Sequence, residues 1–244
     1  MTNLLKKTLI YPYQLWVWAV FAPLLAILTL LFALYALVLI QFFGGSIASR
    51  LAGVPWARLI CFLTPVWIRV RGRENISTRQ SYVVVANHQS QYDIVVLYGW
   101  LGVDFRWVMK KELRKIPGLG IACEKIGHIF IDRSNTKKAL ESLEAAKKAI
   151  TDGVSVIFFP EGTRSSTGKL GSFKMGAFKM AKDLDLPVLP VTISGTRNVL
   201  KTKSVLLWPG KVEMTIHPPI PAGELTEKAL KDNTHAVMSE ALSD

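Results

Sequence analysis

One long uncharged stretch near the N-terminus limits what this chain can fold into. Between Lys7 and Arg50 there is no charged residue, and residues 15–43 are almost wholly apolar. A helix needs about 20 apolar residues to cross the hydrocarbon core of a bilayer, and this run is longer. A signal peptide has a much shorter apolar stretch. The sequence therefore predicts a segment embedded in lipid, rather than a core helix of a soluble protein.

The sequences on either side of this run leave its topology open. A second apolar stretch, residues 51–68, follows a glycine-rich break and contains Arg58, Pro55 and Pro65. Basic residues lie on both sides, so the positive-inside tendency gives no orientation. We expect residues 1–68 to form a membrane-associated helical hairpin that turns at residues 44–49 and keeps both ends in the cytoplasm. The alternative is a single tilted span with the N-terminus outside.

The rest of the chain, residues 69–244, has the pattern of an α/β domain. Helical patterns separate its short apolar runs, and the clearest helix is predicted over residues 136–151. Continuous apolar strands between helices indicate a mixed, mostly parallel sheet flanked by helices. The predicted strands are residues 66–70, 82–86, 105–109, 128–131, 154–159, 188–193 and 212–216.

Charge and cysteine content narrow the classes of partner. The chain has 30 Lys and Arg against 18 Asp and Glu, a net charge of +12, which suits anionic partners such as lipid headgroups, phosphorylated metabolites, an acidic carrier protein or nucleic acid. No nucleic-acid-binding motif is present, so that class is disfavoured. Cys61 and Cys123 are far apart, and the four histidines lack the close spacing of metal ligands. We expect no metal and no nucleic-acid partner.

Two segments carry candidate catalytic and binding residues, and each follows a predicted strand. The predicted strand over residues 82–86 is followed by His88 and, five residues later, by Asp93. These two side chains can meet if His88 lies in the turn and Asp93 in the first turn of the next helix. Taken alone, Asp93 could merely favour a helix N-terminus.

The second segment is Glu161, Gly162, Thr163 and Arg164, after residues 156–160. Such a turn suits an anion, because glycine permits close backbone approach and a guanidinium binds two oxygens at once. It could equally be a surface turn with an Arg–Glu pair. Lys110 and Lys111, after another strand, are by themselves a solvated charge run.

Together these segments closely resemble the lysophosphatidic acid acyltransferase family of membrane glycerolipid acyltransferases. The similarity covers about residues 70–200 and consists of four blocks in order. The blocks are Asn87-His88 with Asp93; Lys110 to Leu113 with Ile116-Pro117 and the stretch from Gly127 to Arg133; Phe159 to Ser165; and Leu186 to Val191.

This resemblance implies acyl transfer from a thioester to the sn-2 hydroxyl of 1-acylglycerol 3-phosphate, which makes phosphatidate for phospholipid synthesis. In that reaction His88 is the expected general base and Asp93 its orienting carboxylate. The expected substrate-binding residues are Lys110, Arg133, Glu161, Gly162, Thr163 and Arg164, with Glu161 orienting Arg164 or a substrate hydroxyl.

The resemblance implies no cofactor, and acyl carrier protein or coenzyme A supplies the acyl thioester as co-substrate. The expected partners are lysophosphatidic acid, that donor and membrane lipids, with the catalytic domain on the cytoplasmic face. A related O-acyltransferase acting on another lysolipid stays open.

Overall fold

The computed structural model describes residues 3–132, 134 and 136–243. The N-terminal region is helical almost throughout. Helix α1 (Asn3–Trp16), a π-helical turn (Val17–Phe21), α2 (Ala22–Ala48), a second π-helical turn (Ser49–Gly53) and α3 (Val54–Leu63) follow one another. Within the described residues, one helical run, Ile10–Leu63, is long and apolar enough to cross a membrane.

Helix α2 is broken at Gly44, which has φ 77° and ψ 174°. The segments on the two sides of the break contact each other, as in a helical hairpin. The Trp56 indole Nε1 donates to Thr29 Oγ1 at 3.1 Å. Nearer the break, a small buried cluster joins the two arms and includes Ala36, Ala52 and Ile126 of the following domain. Small residues at these contacts let the helices approach closely.

The remaining elements alternate strands and helices. The strands are β1 (Val66–Arg71), β2 (Val83–Ala86), β3 (Asp104–Lys110), β4 (Ile129–Ile131), β5 (Val154–Phe158), β6 (Val188–Ser194) and β7 (Gly210–Ile216). The helices are α4 (Tyr92–Trp100), α5 (Leu119–Ile126), α6 (Thr136–Ala146), α7 (Gly176–Leu184), α8 (Thr196–Val199) and α9 (Glu227–Ala241).

All the strands belong to one sheet of seven strands in the order β1-β7-β6-β2-β5-β3-β4. Every neighbouring pair is parallel except β6 and β7, which are antiparallel. The predicted α/β fold with a mixed, mostly parallel sheet is confirmed. The predicted boundary after residue 68 falls inside β1, which pairs with β7.

The two faces of the sheet are covered by different elements. Because side chains alternate along a strand, Val84 and Ala86 face one layer and Val83 and Val85 the other. The first layer contains α4 and buried side chains of the N-terminal helices, such as Phe21. The second contains α7 and α9. Gly53 lies so close to α4 that a Cβ there would be 2.0 Å from Cε1 of Tyr98. Buried side chains of the N-terminal helices are therefore part of the domain's core, while much of their apolar surface remains exposed.

Candidate active site

The strand order places three polar turns next to one another. Strands β2, β5 and β3 are consecutive in the sheet and parallel, so their carboxyl ends lie along one edge. His88 follows β2, Glu161 follows β5, and Lys110 is the last residue of β3. Sites in open α/β sheets form at this edge, where strands end and helices begin.

His88 and Asp93 form a hydrogen-bonded pair. His88 lies in the turn after β2 and Asp93 in the first turn of α4, and Nδ1 of His88 is 2.9 Å from Oδ2 of Asp93. The same oxygen accepts from the backbone N–H groups of Gln89 at 2.6 Å and Ser90 at 2.8 Å. The Asp93 side chain is fully buried, and that of His88 is 14% exposed. The carboxylate is therefore fixed, and because an ionised carboxylate only accepts hydrogen bonds, it favours the His88 tautomer that carries the hydrogen on Nδ1.

Aromatic rings fix the plane of this imidazole. The ring of Phe159 stacks on that of His88 with centroids 3.9 Å apart and planes 12° apart. Trp107 stacks on Phe159 in turn, at 5.8 Å. Phe159 comes just after β5, so the same segment that carries the second turn also supports the His88 imidazole.

Glu161 joins the turn after β5 to the turn after β2. Its Oε1 accepts from the backbone N–H of His88 at 2.8 Å, and its Oε2 accepts from the N–H of Gly171 at 2.9 Å. Burial raises the pKa of Glu161, and the two backbone hydrogen bonds oppose this. The backbone of Ser165 also donates to the His88 carbonyl, at 2.7 Å. The two turns therefore form one cross-linked unit.

The next residues of this turn place the guanidinium of Arg164 beside the cavity. Gly162 has φ 74°, a conformation that favours glycine. Arg164 is partly exposed and, within the described part of the chain, makes no ion pair with a carboxylate. Its guanidinium can therefore bind an anionic ligand.

These turns open into a cavity of about 700 Å³. His88, Phe159, Gly162, Thr163 and Arg164 line its polar end, together with Lys110, Thr202 and Lys203. Its other walls are mostly apolar and come from the N-terminal helices, α4, β3 and α5; they include Phe32, Ala33, Ala36, Trp56, Ile94, Leu119 and Ile126. The arrangement places the His88 imidazole, bonded to Asp93, and the Arg164 guanidinium at one end of a hydrophobic cavity.

A family model described as Acyltransferase matches residues 67–194, slightly more than half of the chain. This chain belongs to the acyltransferase family. The match covers the turns that carry His88 and Arg164, and it confirms the family to which the four sequence blocks pointed.

Individual relatives agree with this family assignment. The chain is 39% identical over 155 residues to chloroplastic 1-acyl-sn-glycerol-3-phosphate acyltransferase LPAT1 of Arabidopsis thaliana, covering 63% of this chain and 43% of that protein. It is 34% identical over 168 residues to human 1-acyl-sn-glycerol-3-phosphate acyltransferase alpha, covering 68% and 59%. The chain thus spans about half the length of these curated relatives.

A solved structure extends the similarity to nearly the whole chain. The crystal structure of PlsC, the 1-acyl-sn-glycerophosphate acyltransferase of Thermotoga maritima, matches with a TM-score of 0.72 and 28% identity. The match covers 90% of this chain and 96% of that one. It therefore includes most of the N-terminal helical region as well as the acyltransferase domain.

The structure brings together all the site residues predicted from the sequence except Arg133 and Glu161. His88, Asp93, Lys110, Gly162, Thr163 and Arg164 lie at or beside the polar end of the cavity. Arg133 lies outside the described residues. Glu161 was expected to orient Arg164 or a substrate hydroxyl, but its two oxygens accept from backbone N–H groups instead. It positions the turns rather than lining the cavity.

Sequence reasoning did not find several residues of this site. Phe159 lies within a recognised block, yet the stacking on His88 depends on the adjacency of β2 and β5. Thr202 and Lys203 come from a loop with no motif, and nothing in the sequence indicated their place. For the cavity residues of the N-terminal helices the sequence predicts only a place in lipid, because apolar side chains that face lipid and those that line a cavity look alike in sequence.

Proposed function

We propose that this protein transfers an acyl group from a thioester to the sn-2 hydroxyl of 1-acylglycerol 3-phosphate and so makes phosphatidate. The observation that carries the proposal is the hydrogen-bonded His88–Asp93 pair at the polar end of a largely apolar cavity of about 700 Å³. The names of the relatives, all of them acyltransferases acting on acylglycerol phosphate, support the choice of acceptor.

The chemistry follows from the geometry of the pair. An alcohol is a weak nucleophile, so Nε2 of His88 removes the sn-2 proton as the oxygen attacks the thioester carbonyl. The Asp93 carboxylate, 2.9 Å from Nδ1, stabilises the imidazolium that forms. When the tetrahedral intermediate collapses, the carbon–sulfur bond breaks and His88 gives the proton to the departing thiolate. The products are phosphatidate and the free thiol of the donor.

Arg164 binds the phosphate of the acceptor. A guanidinium forms two parallel hydrogen bonds with phosphate oxygens, and Lys110 adds a second positive charge at the same end of the cavity. The hydroxyl of Thr163 and the backbone of Gly162 complete this part of the site. Glu161 acts indirectly, because it holds the Arg164 turn at a fixed position relative to His88.

The apolar part of the cavity takes an acyl chain. Its walls come from helices on both sides, and few polar groups interrupt them. A chain placed there has its carbonyl carbon beside His88. The donor is an acyl thioester of coenzyme A or of acyl carrier protein, and both bring negative charge to a protein of net charge +12. The catalytic domain lies on the cytoplasmic face, with the N-terminal helices in the membrane.

An acylation assay with purified, detergent-solubilised protein tests the proposal. The acceptors are 1-acylglycerol 3-phosphate, the same 1-acylglycerol without phosphate and lysophosphatidylcholine, and each is tried with both types of thioester. Products are identified by mass spectrometry, and His88→Ala serves as the inactive control. Preferred acylation of 1-acylglycerol 3-phosphate supports the proposal.

The same assay separates the proposal from its nearest alternative. Faster acylation of lysophosphatidylcholine would assign the protein to a related O-acyltransferase reaction with another lysolipid acceptor. Release of free fatty acid without an acylated lipid would replace acyl transfer by thioester hydrolysis.

A further inference from the structure

Residues 201–208, which connect α8 to β7, expose large apolar side chains. Val205 is 62% exposed, Leu206 45% and Trp208 38%, while Leu207 between them is buried. Neighbouring exposed apolar side chains on the surface of a protein mark contact sites for another protein or a membrane. We call residues 201–208 the lysine loop, because Lys201 and Lys203 are also exposed on it.

The lysine loop has a defined conformation. The N–H of Ser204 donates to the Lys201 carbonyl at 3.0 Å and closes a tight turn, in which Lys203 has φ 65°. Leu200 and Leu207 form an antiparallel bridge, and the N–H of Trp208 donates to the Val199 carbonyl at 2.8 Å. The apolar side chains are therefore held at the surface by the backbone rather than left there by a lack of structure.

On one side, the lysine loop contacts the apolar N-terminal region. The side-chain amide of Gln14 in α1 donates to the Leu207 carbonyl and accepts from the Leu207 N–H. Tyr11 and Leu15 of the same helix are 77% and 70% exposed. The exposed apolar surface of α1 thus adjoins that of the loop, so a single membrane or protein surface can contact both.

On its other side, the lysine loop reaches the active site. The hydroxyl of Thr202 donates to the Gln89 carbonyl at 3.1 Å, and Ser90 Oγ donates to the Leu200 carbonyl at 2.8 Å. Thr202 and Lys203 line the polar end of the cavity. The loop therefore forms part of the cavity wall and is fixed relative to His88.

The composition of the lysine loop favours a lipid surface as its occupant. Basic side chains among apolar ones are typical of segments at the membrane interface, where lysines meet anionic headgroups and apolar side chains enter the boundary of the acyl layer. A second copy docked symmetrically on the loop would bring its lysines against Lys201 and Lys203, which is repulsive.

We propose that the lysine loop inserts into the lipid headgroup layer beside α1 and forms a second membrane contact beside the cavity. Val205 and Leu206 enter the boundary of the acyl layer, and Lys201 and Lys203 bind phosphate groups of the headgroups. The role of this contact rests on the proposed function. An acceptor whose acyl tail lies in the leaflet can then reach His88 without crossing water.

Site-specific fluorescence tests this contact. Leu206→Cys and, separately, Val205→Cys are labelled with an environment-sensitive dye in the whole 244-residue chain carrying Cys61→Ala and Cys123→Ala. The matched control is Glu240→Cys in α9, an exposed position on a helix that packs on the opposite face of the sheet. Each protein is placed in nanodiscs of phosphatidylcholine and phosphatidylglycerol, in one preparation as a single copy per disc and in a second as two copies per disc. No substrate is present, so failure of the proposed reaction does not affect the readout.

The expected result is a shift of emission to shorter wavelength at positions 205 and 206, with strong quenching by nitroxide-bearing lipids and weak quenching by aqueous iodide. The dye at position 240 should show the opposite pattern. Iodide quenching at 205 and 206 equal to that at 240 would overturn the proposal. Protection that requires two copies in one nanodisc would overturn it as well, in favour of a contact between copies.

Discussion

The two ends of the cavity are built in different ways. At the polar end, short turns after β2 and β5 are joined by directional hydrogen bonds, such as those made by Asp93 and Glu161. At the apolar end, the N-terminal helices and α5 of the following domain meet through van der Waals contact, as at Ala36, Ala52 and Ile126. Chemistry requires groups at fixed angles, whereas binding an acyl chain requires volume. Substitutions at the two ends should therefore have separable effects.

The largest effect is expected from the base. His88→Ala should lower kcat by roughly a thousandfold to ten-thousandfold, because the hydroxyl proton then has no acceptor. Asp93→Asn should retain more activity, since the imidazole remains and only its orientation and charge stabilisation are lost. Steady-state kinetics with the circular dichroism spectrum as a folding control measures both. Near-normal turnover by the His88 variant would remove it as the base.

A smaller effect, selective for the phosphorylated acceptor, is expected from Arg164 in the turn after β5. Arg164→Ala should lower kcat/KM for the phosphorylated acceptor by about a hundredfold through loss of two charge-assisted hydrogen bonds. The KM for the acyl thioester should change little. Arg164→Lys should rescue only partly, because a lysine lacks the two-pronged geometry. Equal increases in both KM values would contradict phosphate binding by Arg164.

At the apolar end, a substitution should change which acyl chain is used and leave the rate of chemistry intact. Phe32→Ala enlarges the cavity, so the ratio of kcat/KM for longer over shorter acyl donors should rise by about threefold to tenfold. Leu31→Ala is the matched control, because Leu31 is 55% exposed and does not line the cavity. An unchanged ratio in the Phe32 variant would mean that this end does not hold the acyl chain.

The apolar end also contains one buried histidine, and this predicts a pH effect on stability. Burial, aided by the Arg106 charge, lowers the pKa of His128 from 6.5 to about 3. The unfolded chain therefore takes up a proton first as the pH falls below 6.5, and the folded state loses stability from there down to about pH 3. At about pH 5 the loss is roughly 2 kcal/mol.

His128→Asn removes this titration and should flatten the dependence of Tm on pH in that range. The measurement is thermal unfolding in detergent at a series of pH values, with His217 and the other titratable groups common to both proteins. Parallel curves for the two proteins would show that His128 is not held neutral.

The sequence predicted the polar end of this cavity better than the apolar end. The reason is that the apolar end depends on how the N-terminal helices contact the domain, and the details of the polar end depend on the order of the strands. His88, Asp93 and Arg164 could be named because chemistry depends on particular residue types at short spacing, and those spacings survive in the sequence. The stacking of Phe159 on His88 and the two backbone bonds of Glu161 depend on β2 and β5 being neighbours, which no local pattern encodes.

By itself, the sequence determined the seven strands, the apolar N-terminal region, the family and the pairing of His88 with Asp93, because periodicity and motif spacing are local properties of a chain. Only the tertiary structure decided which apolar side chains of the N-terminal helices line the cavity and which remain on the surface. Hydrophobicity is the same whether a side chain meets lipid, a substrate or a neighbouring helix, so the difference is set by how the N-terminal helices pack on the domain, as where Gly53 lies against Tyr98.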